Sequence, residues 1–513
     1  MDRRVVLPLV LTLSACVIYR NVQVESVARP AAPGDSVTVM TAVKAHLIDG
    51  STVVFPAGVY VEGGRVEGEG TRYSLTLSDS TAVTGVSLDS VVGMESFIDH
   101  VDMASTVVVS TVATGLSMIA VGALAVAIFG SCPTYYTDSA GTPVLEGEGF
   151  SYSIAPLFEA RDVDRLRVHP ADGTVRIEVR NEALETHYIN HLELLEVRHA
   201  AGEVAVGDEA NRLLVLGDVT APTRVVDRSG RDVRRSVVAA DSQAYHSDPR
   251  LVARAVAADL DDWIDVAFPA PAGADSVAIV LRLRNSLLNT VLLYDVMLGD
   301  PGARSLDWVG RDLQQVGPAV QLAQWYQKRM GLDIAVAGAG GYRAVAHVKD
   351  TGPIAWKDVA VVVPVLERGT VRLRLRFPVD NWRIDRIAVA GRFRRALPVV
   401  LPLAAIRDAA GRSDTTALAS LGAADAHYLE TSPGQRFSAE FRPGPAPATE
   451  QQTFFLASQG YYTEWIRRSW LEAPRAARPF VPSDTALAEA VARWRVVRDS
   501  LEARFMASRI PVR

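Results

Sequence analysis

The chain has 513 residues, of which 49% are hydrophobic and 22% charged, and its formal net charge is −6. Because one hydrophobic core rarely serves more than about 250–300 residues, this length excludes a single small domain and predicts several domains. The composition excludes a disordered chain, and the small negative charge provides no basic footprint for nucleic acid.

The N-terminus has the parts of a secretory signal. Arginines at positions 3 and 4 precede the apolar run VVLPLVLTL, and small residues follow before Cys16. This order predicts a signal peptide over residues 1–15. The tetrapeptide Leu13-Ser14-Ala15-Cys16 resembles the bacterial lipobox, which implies that Cys16 is acylated and becomes the mature N-terminus. An ordinary signal peptide with an incidental Cys16 is the alternative.

The lipobox resemblance also implies a cellular location. Val17 follows the cysteine, and the absence of Asp at that position resembles lipoproteins that are sent to the outer membrane. We therefore expect a lipid-anchored protein of the bacterial cell envelope, at the periplasmic face of the outer membrane. Residues 16–35 lack sustained periodicity and end in Pro and Gly, which predicts a tether between the lipid and the first domain.

The chain contains only two cysteines. If Cys16 carries lipid, Cys132 has no partner within the chain, so the exported protein depends on packed cores rather than on an internal disulfide. Cys132 stands beside Pro133 at the start of a long β-patterned region. This position predicts a buried free thiol or an intermolecular partner.

Residues 36–103 consist of short alternating runs that are separated by turn signals. Asp49-Gly50 and Gly63-Gly64 lie between such runs, a pattern typical of β-hairpins. Five or six strands in about sixty residues predict a small closed or half-closed barrel, which resembles the SH3-like or Sm-like barrels. Function does not follow from such a fold.

Residues 104–131 form a continuous apolar run without any charge. A helix over residues 107–129 would reach about 35 Å, enough for a hydrocarbon layer of about 30 Å. However, no Lys or Arg flanks the run, and its first half is rich in Ser, Thr and Val, which weakens a helix. Two alternatives stay open: a spanning helix, or a helix buried in the protein or lying against the membrane. We favour the second, with both β regions on the side of the lipid anchor.

After the apolar run the pattern is again that of strands. A unit of two alternating segments begins near Gly173, returns near Val277 and returns once more near Gly369. This spacing predicts duplicated sheets, although any alternating hairpin produces a similar pattern. We expect two jelly-roll-like β-sandwich domains, over residues 132–317 and 318–482, and a fold class that is mainly β.

Two helices are predicted within and after these domains. Pro318 begins an apolar-periodic segment that Gly331 stops. Ser483 can cap a longer C-terminal helix within residues 483–513. The apolar residues of this second helix share one face: Leu487, Val491, Trp494, Leu501 and Phe505, with Val497 beside them.

Three features resemble functional motifs but fit other structures better. His187 and His191 have the spacing of a zinc pair, but Tyr188 stands where the zinc-protease motif has Glu, and in a strand the two histidines lie about 13 Å apart. The Gly-rich turn after Val336 precedes a strand rather than the helix of a dinucleotide site, so it predicts a hairpin. The carboxylates around Trp263 are interpreted as a solvated turn and helix start rather than a calcium site. We predict no metal site, no cofactor and no enzymatic activity.

The candidate binding residues are mainly aromatic. The densest aromatic stretch, over residues 454–470, has rings that can stack on sugars or on a partner protein, and core packing is the alternative. Trp382 and Asp385 follow a strand in a manner similar to jelly-roll sugar binders. The candidate binding surface comprises Trp382, Asp385, Tyr461, Tyr462, Trp465 and Trp470.

Several motifs after the apolar run carry a family resemblance. They resemble a module of uncharacterised bacterial envelope lipoproteins over roughly residues 131–248. This resemblance implies only a cellular location and an architecture, because no biochemical activity is associated with that family. The motifs are Ser131-Cys132-Pro133-x-x-Tyr136, Leu145-Glu146-Gly147-Glu148, Asn181-Glu182, Glu185-Thr186-His187-Tyr188 and His199.

Together these features predict a non-enzymatic scaffold or partner-binding lipoprotein of the cell envelope, and a carbohydrate-binding module is the alternative. One expected partner is the membrane, through the lipid anchor and, where it lies in or on the lipid, the helix over residues 107–129. The other is a protein or glycan of unknown identity. Nucleic acid is not expected as a partner.

Overall fold

The computed structural model describes the chain in segments, and the described chain is mainly β, as predicted. The predicted lipidation site Cys16, the apolar segment 104–131, Trp465 and Trp470 lie outside the described residues. The described residues are 20–26, 36–41, 43–47, 51–73, 80–101, 132–139, 141–183, 185–301, 308, 313, 316–367, 369–425, 427–432, 434–464, 480–507 and 512.

The first region is an antiparallel sheet. Its eight strands are β1 (Arg20–Ser26), β2 (Val37–Val39), β3 (Val43–Leu47), β4 (Thr52–Phe55), β5 (Val59–Glu62), β6 (Arg65–Tyr73), β7 (Ser80–Ser87) and β8 (Val91–Val101). They pair in the order β1-β8-β3-β4-β6-β5-β2, and β7 pairs with β6. Buried valines alternate with exposed residues along β5, so the sheet has one apolar face, which packs around Phe55.

Two expectations for this region differ from the structure. The predicted tether contains β1, which pairs with β8 from Arg20 opposite Val101 to Ser26 opposite Glu95. The predicted small barrel at residues 36–103 is part of this eight-stranded sheet. The strands that close into a barrel, among the residues that the structure describes, come later in the chain.

The rest of the described chain contributes strands β9 to β28. In chain order they are β9 (Thr134–Ser139), β10 (Thr142–Glu148), β11 (Ala160–Leu166), β12 (Val175–Arg180), β13 (Glu185–Ala200), β14 (Val204–Asp208), β15 (Leu213–Thr220), β16 (Arg224–Asp227), β17 (Asp261–Pro269), β18 (Ser276–Asn285), β19 (Leu332–Gly338), β20 (Gly341–Val348), β21 (Lys357–Pro364), β22 (Thr370–Pro378), β23 (Trp382–Arg395), β24 (Val399–Leu401), β25 (Ala405–Arg407), β26 (Leu429–Thr431), β27 (Arg436–Phe441) and β28 (Glu450–Glu464).

These strands form three sheets and one barrel. The outer sheet has the order β10-β9-β12-β27-β25, and the middle sheet has the order β11-β28-β13-β24 with β26 on β13. The barrel closes through β14-β15-β23-β18-β21, and the far sheet has the order β16-β17-β22-β19-β20.

Apolar cores fix the order of these units. Ile177 of the outer sheet and Leu194 of the middle sheet share one core, while Leu195, on the opposite face of the same strand, packs against the barrel. Ile279 of the barrel packs with Leu373 of the far sheet. A barrel of few strands has a narrow interior, and small side chains fill much of this one: Ala278, Ala360, Ala388 and Ala390.

Strand pairing crosses the predicted boundary between residues 317 and 318. Ala160 of β11 pairs opposite Gly460 of β28, and Val175 of β12 pairs opposite Phe441 of β27. The barrel likewise takes strands from both sides of the boundary. The boundary therefore does not separate two sheets, because each sandwich is assembled from segments that are far apart in sequence.

Most of the described helices share one core. The predicted helix at Pro318 is confirmed, and so is the helix that Ser483 caps, since Ser483 Oγ accepts a hydrogen bond from the N–H of Ala486 at 3.3 Å. Among the described residues, no helix has the length and apolarity needed to cross a membrane. The helices are α1 (Pro249–Arg254), α2 (Leu288–Val291), which continues as a π-helical turn (Leu292–Met297), α3 (Val316–Met330), α4 (Thr415–Leu421) and α5 (Asp484–Ala507).

The three predicted repeat units are not equivalent in the structure. The two strands of the first unit, β12 and β13, lie in different sheets, and β22 and β23 of the third unit lie in the far sheet and the barrel. In the second unit, β18 is followed by α2 and the π-helical turn instead of a strand. Because every residue over 287–292 is buried, the apolar pattern there had no helical period to read.

Candidate functional site

A cavity opens between the sandwich and the helices. It lies among the end of β10 and the loop that follows, the π-helical turn, and α3. The volume open to the centre of a water molecule is about 70 Å³, room for about five water molecules. Its wall is mainly apolar and aromatic, and its polar groups include Cys132, Glu148 and Asn289.

Glu148, the last residue of β10, brings a carboxyl group to the cavity. Its Oε1 accepts hydrogen bonds from the backbone N–H groups of Ile354 at 2.7 Å and Ala355 at 3.0 Å. Its Oε2 is buried and has no hydrogen-bond partner among the described residues. Burial is the main cause that raises the pKa of Glu148 to about 8. The carboxyl group is therefore mostly protonated at pH 7 and can both accept and donate.

The loop before β21 is shaped to receive this carboxyl group. Gly352 has φ +86°, and a Cβ at this residue would lie 2.3 Å from the Glu148 carboxyl carbon. Both the conformation and the close approach therefore require glycine. Asp350 stabilises the same turn, because its Oδ1 accepts a hydrogen bond from the Gly352 N–H at 2.8 Å.

Asp350 is a second acidic group beside the cavity. Its Oδ2 accepts a hydrogen bond from the Tyr326 hydroxyl at 2.7 Å, and Asn289 Nδ2 lies 3.4 Å from the same oxygen. Tyr326 and Asn289 both line the cavity. Burial raises the pKa of Asp350, while these hydrogen bonds favour its charged form.

Cys132 places a thiol in the cavity wall. The residue is 2% exposed, so the predicted burial is confirmed. Burial raises the pKa of the Cys132 thiol well above its usual value, and the nearby carboxyl groups of Glu185 and Glu148 raise it further. A nucleophilic cysteine needs a lowered pKa, and this thiol has the opposite environment.

Glu185 and His187, at the start of β13, are fully buried and connect to the cavity through Tyr294. The Tyr294 hydroxyl donates to Glu185 Oε1 at 3.3 Å, and Glu185 Oε2 lies 3.3 Å from His187 Nε2. Tyr294 itself lines the cavity. Both residues belong to the ETHY motif, so part of the resembling module converges on this site.

Aromatic rings supply much of the cavity wall. Three tyrosine hydroxyls donate to protein acceptors: Tyr294 to Glu185, Tyr326 to Asp350, and Tyr462 to the backbone carbonyl of Ser151 at 3.0 Å. With their hydroxyls held in this way, these residues offer ring surface to a ligand. Tyr152 and Phe158 complete the aromatic part of the wall.

The predicted binding surface is not exposed. Trp382 is fully buried, and Asp385, 1% exposed, accepts a hydrogen bond from Arg282 Nε at 3.0 Å. Tyr461 is also buried and stacks on Tyr188, with the ring centroids 4.6 Å apart. These three residues therefore pack in the core, which is the alternative that the sequence left open.

Tyr462 is buried as well, but it lines the cavity. Trp465 and Trp470, the remaining members of the predicted surface, lie outside the described residues. The predicted surface therefore contributes a single described residue to the site.

Two motif interpretations are confirmed and one is wrong. His187 and His191 lie in strand β13, and β19 and β20 form the Gly-rich hairpin. The predicted solvated turn and helix start around Trp263 is instead strand β17. There Asp262 is buried and accepts hydrogen bonds from Tyr245 at 2.9 Å and from Ser247 Oγ at 2.6 Å.

Sequence reasoning missed the residues that define the cavity. Glu148, Asn289, Tyr326 and Asp350 come from β10, α2, α3 and the loop before β21. The one local signal is the pair Glu146 and Glu148, two carboxyl groups within one strand. A β-bulge between Leu145 and Gly147 interrupts the alternation there, so their spacing does not say which face each one takes, although both are buried.

Comparisons with known proteins add little to this description. No family model and no curated protein matches the chain. Among solved structures, an exo-β-1,3-galactanase from Phanerochaete chrysosporium is 8% identical and covers 71% of this chain and 84% of its own, with a TM-score of 0.18. An uncharacterized protein from Listeria monocytogenes is 11% identical and covers 72% of this chain and 29% of its own, with a TM-score of 0.16. The secreted serine protease VesC from Vibrio cholerae is 6% identical, and the match covers 72% of this chain and 99% of the protease chain, with a TM-score of 0.14. Likenesses at these values carry no argument about function.

The described structure is thus that of a mainly β protein with a small cavity of aromatic and acidic character.

Proposed function

We propose that the protein is a lipid-anchored, non-enzymatic binding protein of the bacterial cell envelope, and that it holds a small ligand in the cavity beside Glu148. One observation carries this proposal: Glu148 Oε2 is buried at the cavity without a hydrogen-bond partner among the described residues. A buried polar group left unpaired costs about 1–3 kcal/mol. A ligand that bonds to it recovers this cost.

The chemistry of the cavity favours binding over catalysis. Its thiol, Cys132, has a raised pKa, and the pKa of Glu148 is raised mainly by burial. A protonated acid and a protonated thiol provide hydrogen-bond donors, but neither is an activated nucleophile.

The lipid anchor and the envelope location remain part of the proposal. They rest on the lipobox-like residues that end in Cys16 and on the signal-like run before them. In this arrangement the acyl group holds the β units at the periplasmic face of the outer membrane. An alkaline phosphatase fused after Arg513 should be active if the C-terminal end is exported, and a stable but inactive fusion would overturn this location.

The structure removes the basis for the alternative function, carbohydrate binding. It was based on Trp382 and Asp385, which are buried in the structure. A sugar-stacking site needs exposed aromatic rings.

A blocking variant tests the binding proposal. Ala323 lies at the cavity wall on α3, and Gln324 is the exposed neighbour on the same helix. Against a library of small polar and amphipathic molecules, at least one compound should raise the Tm of the wild type and of Gln324→Trp. The same compound should leave Ala323→Trp unchanged, because the indole fills the cavity. A wild-type protein that no compound stabilises, or a blocked variant that responds equally, would refute a ligand-binding cavity.

A further inference from the structure

The geometry points to an organic cation, such as a quaternary or primary ammonium group on a small molecule, as the ligand of the cavity. This inference rests on the proposed binding function and names the chemical class of its ligand. The charge of the cavity wall, its aromatic rings and its size all favour such a ligand.

The charge of the wall is acidic. None of the described residues that line the cavity is Lys, Arg or His, whereas Glu148 lines it and Asp350 is bonded to two residues that do. Glu185 is one hydrogen bond away, through Tyr294. An anionic ligand would meet these carboxyl groups without a counter-charge, and a cation would offset the burial of one of them.

The rings match the same ligand. Tyr152, Phe158, Tyr294, Tyr326 and Tyr462 all line the cavity. The face of an aromatic ring attracts a cation because its quadrupole is negative there, by about 2 kcal/mol or more in a desolvated site. Several rings around one small cavity, together with a carboxyl group, form the arrangement that binds ammonium groups in aromatic cages.

A lysine of the protein already shows this attraction. Lys349 Nζ lies 5.3 Å from the centroid of the Tyr152 ring. Lys349 does not line the cavity, and burial lowers its pKa to about 8. Its charge is therefore partly lost at mildly alkaline pH, where it competes less with a bound cation.

The size of the cavity suits a small ammonium group. A space of about 70 Å³ for water centres holds about five water molecules, close to the size of a trimethylammonium group together with the methylene carbon that carries it. Ser151 and Pro353, both half-buried, lie among the lining residues, so the cavity reaches the surface. A longer ligand can leave its remaining atoms there.

Binding of a cation should change the protonation of Glu148, which distinguishes it from binding of a neutral ligand. The groups whose charges act on Glu148 are Asp350 and Asp164, and Cys132 also lies close enough to feel the Glu148 charge. A bound cation favours the ionised carboxylate, so binding near pH 7 releases a proton. The affinity should then rise as the pH passes through about 8, where Glu148 ionises and Lys349 loses its charge.

Three probes of similar size and different charge test the assignment. Isothermal titration calorimetry of the detergent-solubilised full chain at pH 8.5 would compare choline, the neutral 3,3-dimethylbutan-1-ol and the anionic 3,3-dimethylbutanoate. We expect choline to bind at least about tenfold more tightly than the neutral isostere, a difference of about 1.4 kcal/mol. The anion should bind more weakly than either.

Paired variants test the named residues. Glu148→Gln keeps the shape of the side chain and should lower the affinity for choline about tenfold. The affinity for the neutral isostere should stay within about twofold of the wild-type value. Glu430→Gln removes the same charge from an exposed position of β26 and should change neither. Tyr152→Phe keeps the ring and should retain choline binding, whereas Tyr152→Leu should lose it.

The outcomes separate this inference from the proposed function. If the neutral isostere or the anion binds as tightly as choline, or if library compounds bind and choline does not, the cavity binds small molecules and the cationic assignment is wrong. If no compound of any charge binds the wild type, both the assignment and the proposed function fail.

Discussion

The buried carboxyl group of Glu148 has the clearest energetic consequence of any single residue. Its pKa is near 4.5 in an unfolded chain and about 8 in the folded protein. Between these values the folded state keeps a proton that the unfolded state has lost, so the free energy of unfolding falls as the pH rises. At pH 7 this destabilises the protein by about 3 kcal/mol relative to acidic pH.

Replacing the acid removes this pH-dependent penalty. Glu148→Gln keeps an acceptor for the backbone N–H groups of Ile354 and Ala355 and cannot ionise. Its free energy of unfolding should exceed that of the wild type by about 3 kcal/mol at pH 7, and the excess should shrink towards pH 4.5. Urea denaturation at pH 4.5, 6 and 7.5 measures it.

The exposed Glu430→Gln variant is the control for the loss of a surface carboxylate, and its free energy of unfolding should stay within about 0.5 kcal/mol of the wild type at pH 7. An excess for Glu148→Gln that stays constant across these pH values would show that the folded carboxyl group ionises normally.

The residues of the site were the least predictable feature. The sequence shows that Glu148 ends an alternating strand, but nothing local says that Asp350 and Tyr326, about 200 residues and 180 residues later, meet near it. Trp382 illustrates the reverse error. An aromatic residue followed by an acid predicts an exposed binding surface, whereas the far sheet packs on that strand and buries Trp382.

At the scale of secondary-structure elements, α5 packs into the core that most of the described helices share. Trp494 on its buried face donates its Nε1–H to Asp380 Oδ2 at 2.7 Å. Asp380 stands in the turn between β22 and β23, with φ +58°, and also pairs with Arg383 at 2.9 Å and Arg498 at 3.5 Å. The helix is therefore held by a buried charge network as well as by its apolar face.

Two substitutions separate these contributions. Trp494→Phe keeps most of the ring and removes the hydrogen bond to a charged acceptor, so it should lower the free energy of unfolding by about 1.5–3 kcal/mol. Trp494→Ala should cost about 3–5 kcal/mol, because it also leaves a cavity. Urea denaturation measures both.

Val496→Ala, at a position of the same helix that is 80% exposed, is the control and should stay within about 0.5 kcal/mol. Equal costs for the Phe and Ala variants would mean that packing contributes little. A Phe variant as stable as the wild type would mean that the bond to Asp380 does not hold the helix.

The elements themselves were predictable where one periodicity was clear. The spacing of Leu487, Val491 and Trp494 specified α5, and a Gly-rich turn between alternating segments specified the β19–β20 hairpin. The strand prediction for LLYDVML is wrong because five of its seven residues are buried and the two half-buried ones, Leu293 and Asp295, alternate as they would in a strand. No polar face remains from which a helical period can be read. The prediction of a solvated turn at β17 is wrong because Asp262 is buried, and the side chains of Tyr245 and Ser247, both outside the strand, donate hydrogen bonds to it there.

For the whole molecule, the proposed anchor gives a direct prediction. Cys16→Ser removes the sulfur that would be acylated, so the protein should move from the membrane fraction to the soluble fraction or keep its signal segment. Cell fractionation with immunoblotting, and mass spectrometry of the N-terminus, measure this. Cys132→Ser is the matched control and should fractionate like the wild type. Unchanged membrane association of Cys16→Ser would mean that lipid on Cys16 is not the anchor.

The pairing of β11 with β28 and of β12 with β27 also constrains the order in which the chain can fold. Ala160 and Gly460 are neighbours in the middle sheet although about 300 residues separate them. Such high contact order slows folding, because long loops must close before their contacts form. If the chain is exported N-terminus first, β11 and β12 reach the periplasm well before their partner strands, β28 and β27. Until then their edges are unpaired, and unpaired strand edges promote aggregation. The sandwich then completes only after translocation, and this protein should depend strongly on periplasmic holdase chaperones during its synthesis.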